Sequence, residues 1–310
     1  MSHLPDHGPA VDSDGGSVRL RLDLGYDGTD FRGWAVQPGL RTVAGAVGDA
    51  LATVLRMDPD RVMRTLVVAG RTDAGVHATA QVAHLDVPAG GLARAGGPVG
   101  VTRRLRGMLS PDVQVVSVAV APEGFQARFS ALRRHYVYRV DDSAAGPDPL
   151  RRRDTLAHPR PLDVAALQGA AERLLGLHDF AAFCRRRQGA TTVRTLLAFR
   201  WGRDADGTVV AGVSADAFCH SMVRALVGSV LPVGDGRRGP GFPVEVLQGR
   251  SRDPRVIVAP AHGLTLVGVD YPDAGGLERR ERESRVRRVT VSGTSTGSGP
   301  QRECHDIPDA

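Results

Sequence analysis

Alternating apolar and polar residues divide the first half of the chain into strands and helices. Residues 18–26 (VRLRLDLGY) alternate with a period of two, which is typical of a strand with one buried face. Thr42 precedes an amphipathic segment that reaches Leu55, so we predict a helix with Thr42 as its N-cap. The other predicted elements are strands at 62–69, 80–86 and 113–120, a glycine-rich connection at 89–100 and a helix at 101–109. The order β-α-β-β-α-β is the split βαβ pattern.

The same order of elements recurs in the second half. Residues 134–140 (RHYVYRV) alternate as a strand, and 163–175 predict a helix. Asp206 and Gly207 predict the turn of a hairpin. The remaining predicted elements are strands at 192–201, 208–214 and 264–270 and helices at 218–230 and 244–248. Two halves in tandem predict an α+β fold, in which two ferredoxin-like (split βαβ) halves share a continuous, mostly antiparallel sheet with an active-site cleft between them.

Segments of low complexity flank the predicted folded part. Residues 1–16 are polar and acidic, lack the basic and apolar parts of a signal peptide, and predict a disordered tail. Residues 273–310 are rich in charge and in Ser and Gly, and predict a second disordered tail. We expect an N-terminal domain at 17–130 and a C-terminal domain at 131–272. No apolar run approaches membrane-spanning length, so no membrane association is expected.

The composition favours an acidic partner. The formal charge is +6, the sequence pI is about 10.0, and all 40 basic residues are arginine. A basic protein suits a polyanion. The absence of lysine excludes Schiff-base chemistry and a Walker-type phosphate loop. Cys184, Cys219 and Cys304 share no CxxC spacing and form no plausible disulfide framework, so a reducing cytoplasm is expected.

One carboxylate occupies a loop between two predicted strands. Asp73 lies between Gly70 and Gly75, and Arg71 stands two residues before it. Rigid strands that hold a polar loop form the framework of many active sites. The spacing alone favours an ordinary turn, because Asp and Gly are the usual residues of tight connections.

Three segments bear a family resemblance that changes this interpretation. Residues 70–78 (GRTDAGVHA) resemble the signature loop of the bacterial tRNA pseudouridine synthase A family. Residues 124–138, which contain GFQARFSA and RRHYVY, are similar to its second motif, and 218–228 (FCHSMVRALVG) to its third. The resemblance extends over 19–271, nearly everything outside the tails.

The resemblance implies roles for individual residues. Asp73 becomes the catalytic aspartate and Arg224 its partner, since a guanidinium keeps a partly buried carboxylate ionised. Tyr136 contacts the target base, for which a tyrosine offers a stacking face and a phenol, although strand packing is an alternative for Tyr136 and Tyr138. Arg71 fills the space that the base leaves when it turns out of its stack.

The family reaction converts uridine to pseudouridine. The bond from N1 to the ribose breaks, the base turns, and C5 bonds to the ribose, so the chemistry requires no cofactor. Asp73 can attack ribose C1′ or uracil C6, or remove a ribose proton, and the sequence leaves these alternatives open. The resemblance also implies uridines 38, 39 and 40 of the tRNA anticodon stem-loop as targets, and a homodimer. No metal site is expected, because His77 and His84 lie on separate elements.

Two other functions compete with this one. An N-glycosidase requires two carboxylates, and no segment that resembles the family supplies a second one beside Asp73. A non-catalytic RNA-binding protein explains the charge but not a carboxylate where phosphates bind. In every RNA-binding interpretation, arginine clusters contact the phosphates. The predicted clusters contain Arg103, Arg104, Arg133, Arg134, Arg185, Arg186 and Arg187.

Overall fold

Ten strands and seven α-helices form within residues 16–185, 191–277 and 279–280, which a computed structural model describes. The strands are β1 (Ser17–Tyr26), β2 (Val67–Val68), β3 (His77–Pro88), β4 (Val113–Val120), β5 (Arg133–Asp141), β6 (Leu156–Ala157), β7 (Gly176–Asp179), β8 (Val193–Arg203), β9 (Val209–Ala215) and β10 (Leu264–Asp270). The helices are α1 (Val43–Leu55), α2 (Pro59–Thr65), α3 (Ala89–Arg94), α4 (Gly97–Met108), α5 (Val164–Glu172), α6 (Met222–Gly234) and α7 (Phe242–Gln248).

The strands form one sheet in which the two halves have the same strand order. The main path through the sheet is β4-β1-β3-β10-β5-β9-β8-β7, with β2 beside β3 and β6 beside β5. The first half therefore runs β4-β1-β3-β2 and the second runs β10-β5-β9-β8. The two halves meet where β3 and β10 pair in parallel, whereas the pairs within each half are antiparallel except β5 with β6. The predicted α+β fold with a continuous sheet is confirmed.

The core lies between the sheet and the helices. Leu20, Leu22 and Leu24 alternate along β1 and are fully buried, whereas Arg19 on the other face pairs with Asp86 of β3. In each half a helix packs on an outer strand, α4 on β4 and α5 on β8. The alternation in the sequence thus selects the face that the helices cover.

The strand that we predict at 62–69 is wrong in its first part. Residues 59–65 form α2, and only Val67 and Val68 pair as a strand. The reason is a helix start at Asp58, whose side chain accepts a hydrogen bond from the Arg61 amide at 2.9 Å, with Pro59 in the first turn. The glycine-rich connection at 89–100 likewise contains α3 and the first turn of α4.

Helix α6 begins four residues later than the sequence predicts. The expected start is Phe218, but the helix begins at Met222, because Ser221 adopts a left-handed conformation with φ 61° and ψ 12°. Residues 218–221 therefore form a loop that precedes the first turn of α6. This correction matters for the site, because His220 and Ser221 of this loop contact Asp73.

The chain stays packed beyond residue 272, where we expect the C-terminal domain to end. A 3-10 helix at Ala274–Gly276 follows β10, and the Leu277 side chain is buried against Phe125 and Ala127. Burial of an apolar side chain fixes the chain there. Residues 1–15 and 281–310, which make up most of the two predicted tails, lie outside the described residues.

The expectation that the cysteines form no disulfide is wrong. Cys184 and Cys219 form a disulfide, and their Cα atoms are 5.7 Å apart. The residues are 35 positions apart, and only the meeting of the segment after β7 with the loop before α6 brings them together. Cys304 lies outside the described residues. The cytoplasmic location that the cysteines supported stays a prediction.

Candidate active site

A buried polar network from β1 and β3 holds the Asp73 loop in place. Thr72 of this loop shares a hydrogen bond with the Tyr26 hydroxyl at 2.8 Å. The Gln81 side chain donates to the same hydroxyl and to the Gly70 carbonyl, at 3.1 and 2.8 Å. Burial raises the pKa of Tyr26 to about 12, so this hydroxyl stays protonated near neutral pH. The network holds both ends of the turn before Asp73.

The segment Phe31–Trp34 holds the same loop from the side. The Trp34 amide donates to the Thr72 carbonyl at 3.1 Å, and the Gly75 amide donates to the Phe31 carbonyl at 3.2 Å. Gly33 between them has φ 90°, and a Cβ there would lie 2.9 Å from the Thr72 oxygen. Only glycine allows this close approach of two backbones. The Asp73 loop is therefore a rigid element rather than an ordinary turn.

Three side chains from the second half surround the Asp73 carboxylate. The Ser221 hydroxyl donates to Oδ2 at 2.8 Å, and Nη1 of Arg224 donates to the same oxygen at 3.3 Å. Nε2 of His220 lies 3.4 Å from Oδ1. The pairing of Asp73 with Arg224 that the resemblance implied is present, and about a fifth of each side chain is exposed.

Sequence reasoning missed Ser221 and His220 as members of the site. Both lie inside the segment that resembles the third family motif, but the predicted helix through 218–230 directs their side chains elsewhere. The left-handed backbone at Ser221 turns the chain before α6 and brings both residues to Asp73. A serine just before an apolar helical run is the signal that could have placed the helix start correctly.

Arg224 is held in place by the segment before β10. Its Nε donates to the Ala259 carbonyl at 2.7 Å, and the Ala259 amide donates to the Arg224 carbonyl at 3.0 Å. One turn further along α6, a Cβ on Gly228 would overlap the Ile257 carbonyl, which shows how closely the two backbones approach. The guanidinium is thus fixed at one edge while Nη1 reaches Asp73.

Tyr136 lies on β5 beneath this cluster. The side chain is 7% exposed, and its ring meets the Phe218 ring edge to face with centroids 5.2 Å apart. Burial raises the pKa of the Tyr136 hydroxyl strongly, and the negative charge of Asp73 adds to the rise. The phenol therefore stays neutral and can donate a hydrogen bond but not accept a proton as a base.

Arg134, which we predict to bind RNA, is buried in the structure. Its guanidinium is buried and donates to four backbone carbonyls, a set that consists of Ala69, Arg128, Ala131 and Asp216. Burial lowers the pKa of this group without removing its charge at neutral pH. These bonds join β5 to the residue after β2, to the segment before β5 and to the residue after β9.

The other predicted arginines differ in what the structure describes. Exposed side chains are found at Arg71, Arg103, Arg104, Arg133 and Arg185. Arg186 and Arg187 lie outside the described residues. Arg185 lines a cavity of about 260 Å³ together with Arg252, and His220, Ser221 and Arg224 form its wall on the side of Asp73. The cavity is therefore rich in positive charge.

His77 lies at the start of β3 and joins two loops. Its Nδ1 accepts from the Gly28 amide at 3.0 Å, and its Nε2 hydrogen-bonds with the Arg153 carbonyl at 2.8 Å. Both ring nitrogens are thus used. Among the residues that the structure describes, no group of three His, Cys, Asp or Glu side chains is arranged to hold a metal ion. In the same part of the chain, every helix is too short or too polar to cross a bilayer.

The comparison with known proteins defines first the class and then the family. Residues 170–272 match the family model described as tRNA pseudouridine synthase, in agreement with the α+β fold. Proteins named tRNA pseudouridine synthase A are similar along almost their whole length. The one from Frankia casuarinae is 59% identical over 278 residues, which cover 88% of this chain and 97% of the relative. Those from Streptomyces griseus and Mycobacterium leprae are 54% and 51% identical and cover 90% and 85% of this chain, and 97% and 93% of their own.

The chain therefore belongs to the tRNA pseudouridine synthase A family. Members of this family are isomerases that form pseudouridine from uridine. The predicted family and enzyme class are confirmed.

Proposed function

We propose that this protein converts uridine to pseudouridine in tRNA, with Asp73 as the nucleophile. One observation carries the proposal: a partly exposed carboxylate on a rigid loop of one half is held by Ser221 and Arg224 of the other half. A reacting group at the junction of two halves is accessible to a large substrate, and rigid supports keep it in one geometry. Arg224 places a positive charge 3.3 Å from the carboxylate oxygen Oδ2.

The proposed reaction forms a bond from an Asp73 oxygen either to ribose C1′ or to uracil C6. In both cases the N1–C1′ bond breaks and a C5–C1′ bond forms. The proton on C5 leaves to solvent, N1 gains a proton, and the carboxylate is released unchanged. Because atoms and charge balance within the nucleotide, we propose that no cofactor takes part. Tyr136 supports the base with its neutral phenol.

The direct contacts of Asp73 are hydrogen-bond donors and positively charged groups. In the described part of the chain, the side chains that contact the Asp73 carboxylate are a serine, a histidine and an arginine. A second carboxylate is not among them.

We propose that the target is the anticodon stem-loop, at uridines 38, 39 and 40. Arg185 and Arg252 at the cavity next to the site supply positive charge for a phosphate beside the target nucleotide. Arg71, which is exposed and two residues from Asp73, fills the space of the extruded base. We further propose that the protein acts in the cytoplasm as a homodimer that binds one tRNA, which sedimentation with and without tRNA would test.

The test uses tRNA labelled with tritium at C5 of its uridines. We expect release of the label without a change in the mass of the RNA, and mapping of the product should place pseudouridine at positions 38, 39 and 40. Release of free uracil would support a glycosidase instead. Tight tRNA binding with neither product would support a non-catalytic RNA-binding protein.

A further inference from the structure

Ser221 has a backbone conformation that its position just before helix α6 does not explain. Its φ of 61° lies in the left-handed region, which a residue with a Cβ adopts at a cost in free energy. A serine before a helix usually accepts a hydrogen bond from an amide of the first turn. The Ser221 side chain makes no such bond to α6. The residue therefore neither relaxes its backbone nor caps its helix.

The Ser221 hydroxyl is used on Asp73 instead. It donates to Oδ2 at 2.8 Å, where Nη1 of Arg224 also arrives at 3.3 Å. Oδ2 thus has two hydrogen-bond donors that fix the orientation of the carboxylate. A strained backbone that over-determines a reacting group is common at functional sites.

The two carboxylate oxygens of Asp73 differ in their hydrogen bonds. A hydroxyl has one hydrogen, so Ser221, which gives it to Asp73, can only accept from Nδ1 of His220, 3.2 Å away. Nε2 of the same ring lies 3.4 Å from Oδ1 as an ion-pair contact. Among the described residues, the hydrogen bonds to the Asp73 carboxylate from Ser221 and Arg224 both go to Oδ2, and none goes to Oδ1.

We infer that Ser221 is a positioning residue that fixes Oδ2 of Asp73 and leaves Oδ1 as the reacting oxygen, and that His220 holds the Ser221 hydroxyl in its donating orientation. The inference rests on the proposed function. It assigns different roles to two residues: Arg224 pairs with the charge of Asp73, and Ser221 fixes the orientation of the Asp73 carboxylate. A carboxylate without Ser221 keeps its charge but samples more orientations, so productive attack becomes rarer.

Three substitutions of Ser221 separate an effect on the orientation of Asp73 from an effect on stability. Ser221→Ala removes the hydroxyl and keeps the strained backbone, whereas Ser221→Gly removes the hydroxyl and relieves the strain. Ser221→Asn adopts a left-handed backbone easily and keeps a side-chain donor. The readouts are kcat and KM for tritium release from tRNA, together with the melting temperature.

We expect kcat to fall by about 10- to 100-fold in both the alanine and the glycine variant, the range for one hydrogen bond to a charged group. KM should stay within about threefold, because Ser221 acts on the orientation of Asp73. The glycine variant should melt at or above the wild-type temperature, so that its loss of kcat cannot come from unfolding. Ser221→Asn should recover kcat to within about tenfold of wild type.

A glycine variant with wild-type kcat would overturn the inference, as would an asparagine variant no better than alanine. Wild-type protein that forms no pseudouridine would overturn the proposed function and the inference with it, which distinguishes the two failures.

The role of His220 is tested by non-additivity. If His220 acts through the Ser221 hydroxyl, His220→Ala should lower kcat, and the double variant with Ser221→Ala should be no slower than Ser221→Ala alone. Multiplicative losses would show that His220 acts on Asp73 independently of Ser221 and would overturn its assigned role.

Discussion

At the scale of single residues, the two carboxylate oxygens of Asp73 have different contacts. Oδ2 of Asp73 is bound by Ser221 and Arg224, and Oδ1 faces a histidine nitrogen. Neighbouring Tyr136 stays neutral because its burial disfavours the phenolate. The cluster therefore combines a carboxylate whose two oxygens have different contacts with one neutral phenol.

The first prediction concerns the charge of Asp73. Asp73→Asn keeps the size of the side chain and can still accept from Ser221, but it has no nucleophilic oxygen. We expect normal folding and tRNA binding, with C5 tritium release reduced at least a thousandfold, roughly 4 kcal/mol of transition-state stabilisation. Residual release above about one per cent of wild type, after the asparagine is shown by mass spectrometry not to have deamidated, would contradict a role as nucleophile.

The second prediction contrasts two arginines near Asp73. Arg224→Leu removes the donor to Oδ2 and leaves the Ala259 carbonyl without its side-chain donor. We expect about 2 kcal/mol lower stability, a drop in melting temperature of about 4 to 8 °C, and loss of turnover. Arg71→Ala should slow turnover with little change in melting temperature, because Arg71 is exposed. Equal melting losses in differential scanning calorimetry would refute this contrast.

At the scale of elements, strand β3 connects the site to the segment before β5. Gln81 on β3 holds the Asp73 loop, and His84 on the same strand accepts from the Ala127 amide at 3.0 Å. The ring of His84 also packs edge-on against Phe125, with centroids 6.4 Å apart. His84 and Gln81 therefore lie on one strand that contacts both the Asp73 loop and the segment before β5.

The third prediction is a pH dependence of stability that comes from His84. Burial lowers the pKa of His84 to about 4, below its ordinary value of about 6.5. Between these values the unfolded chain binds the proton and the folded chain does not, so stability falls as pH falls from about 6.5 towards 4. From pH 7 to pH 5 this one group removes about 2 kcal/mol.

His84→Asn tests this directly, because its side-chain oxygen can accept from Ala127 as Nδ1 does and does not titrate. We expect the loss of unfolding free energy between pH 7 and pH 5, measured with urea, to be smaller by about 2 kcal/mol in the variant. Identical losses in the two proteins would mean that another group causes the pH dependence.

At the scale of the whole molecule, the arginines divide into those already paired and those open to a polyanion. Arg203 pairs with Asp142 at 2.7 Å, and Arg255 pairs with Asp253 at 2.7 Å. In the described part of the chain, no carboxylate pairs with Arg103 or Arg104 of α4, and both are exposed. Net charge alone therefore does not identify the arginines that bind phosphate.

The fourth prediction uses this difference. Replacing Arg103 and Arg104 with serine should weaken tRNA binding and reduce the slope of log Kd against log salt by about 1.5, since each phosphate contact releases condensed counterions. The matched control replaces Arg203 and Arg255 with serine and removes the same charge, but its slope should change by less than half as much. Equal changes in the two pairs would show that affinity follows net charge rather than contacts. Turnover at saturating tRNA should stay near wild type in both.

Local patterns in the sequence were enough for much of the fold. Alternation placed β1 and its buried leucines, and Thr42 was correctly predicted as the cap of α1, where its side chain accepts from the Gly45 amide. The glycine-bracketed loop placed Asp73 between strands. These features depend on a few adjacent residues, so the sequence contains them directly.

What only the tertiary structure decided depends on which distant segments meet. The sequence predicts that Arg134 is an exposed cation, yet four carbonyls from three segments surround it. Cys184 and Cys219 have no motif spacing, but the fold brings them together. Ser221 looks like a helix residue, and its contact with Asp73, 148 positions away, exists only because β3 and β10 join the two halves. Long-range pairing selects such partners, and no local periodicity encodes it.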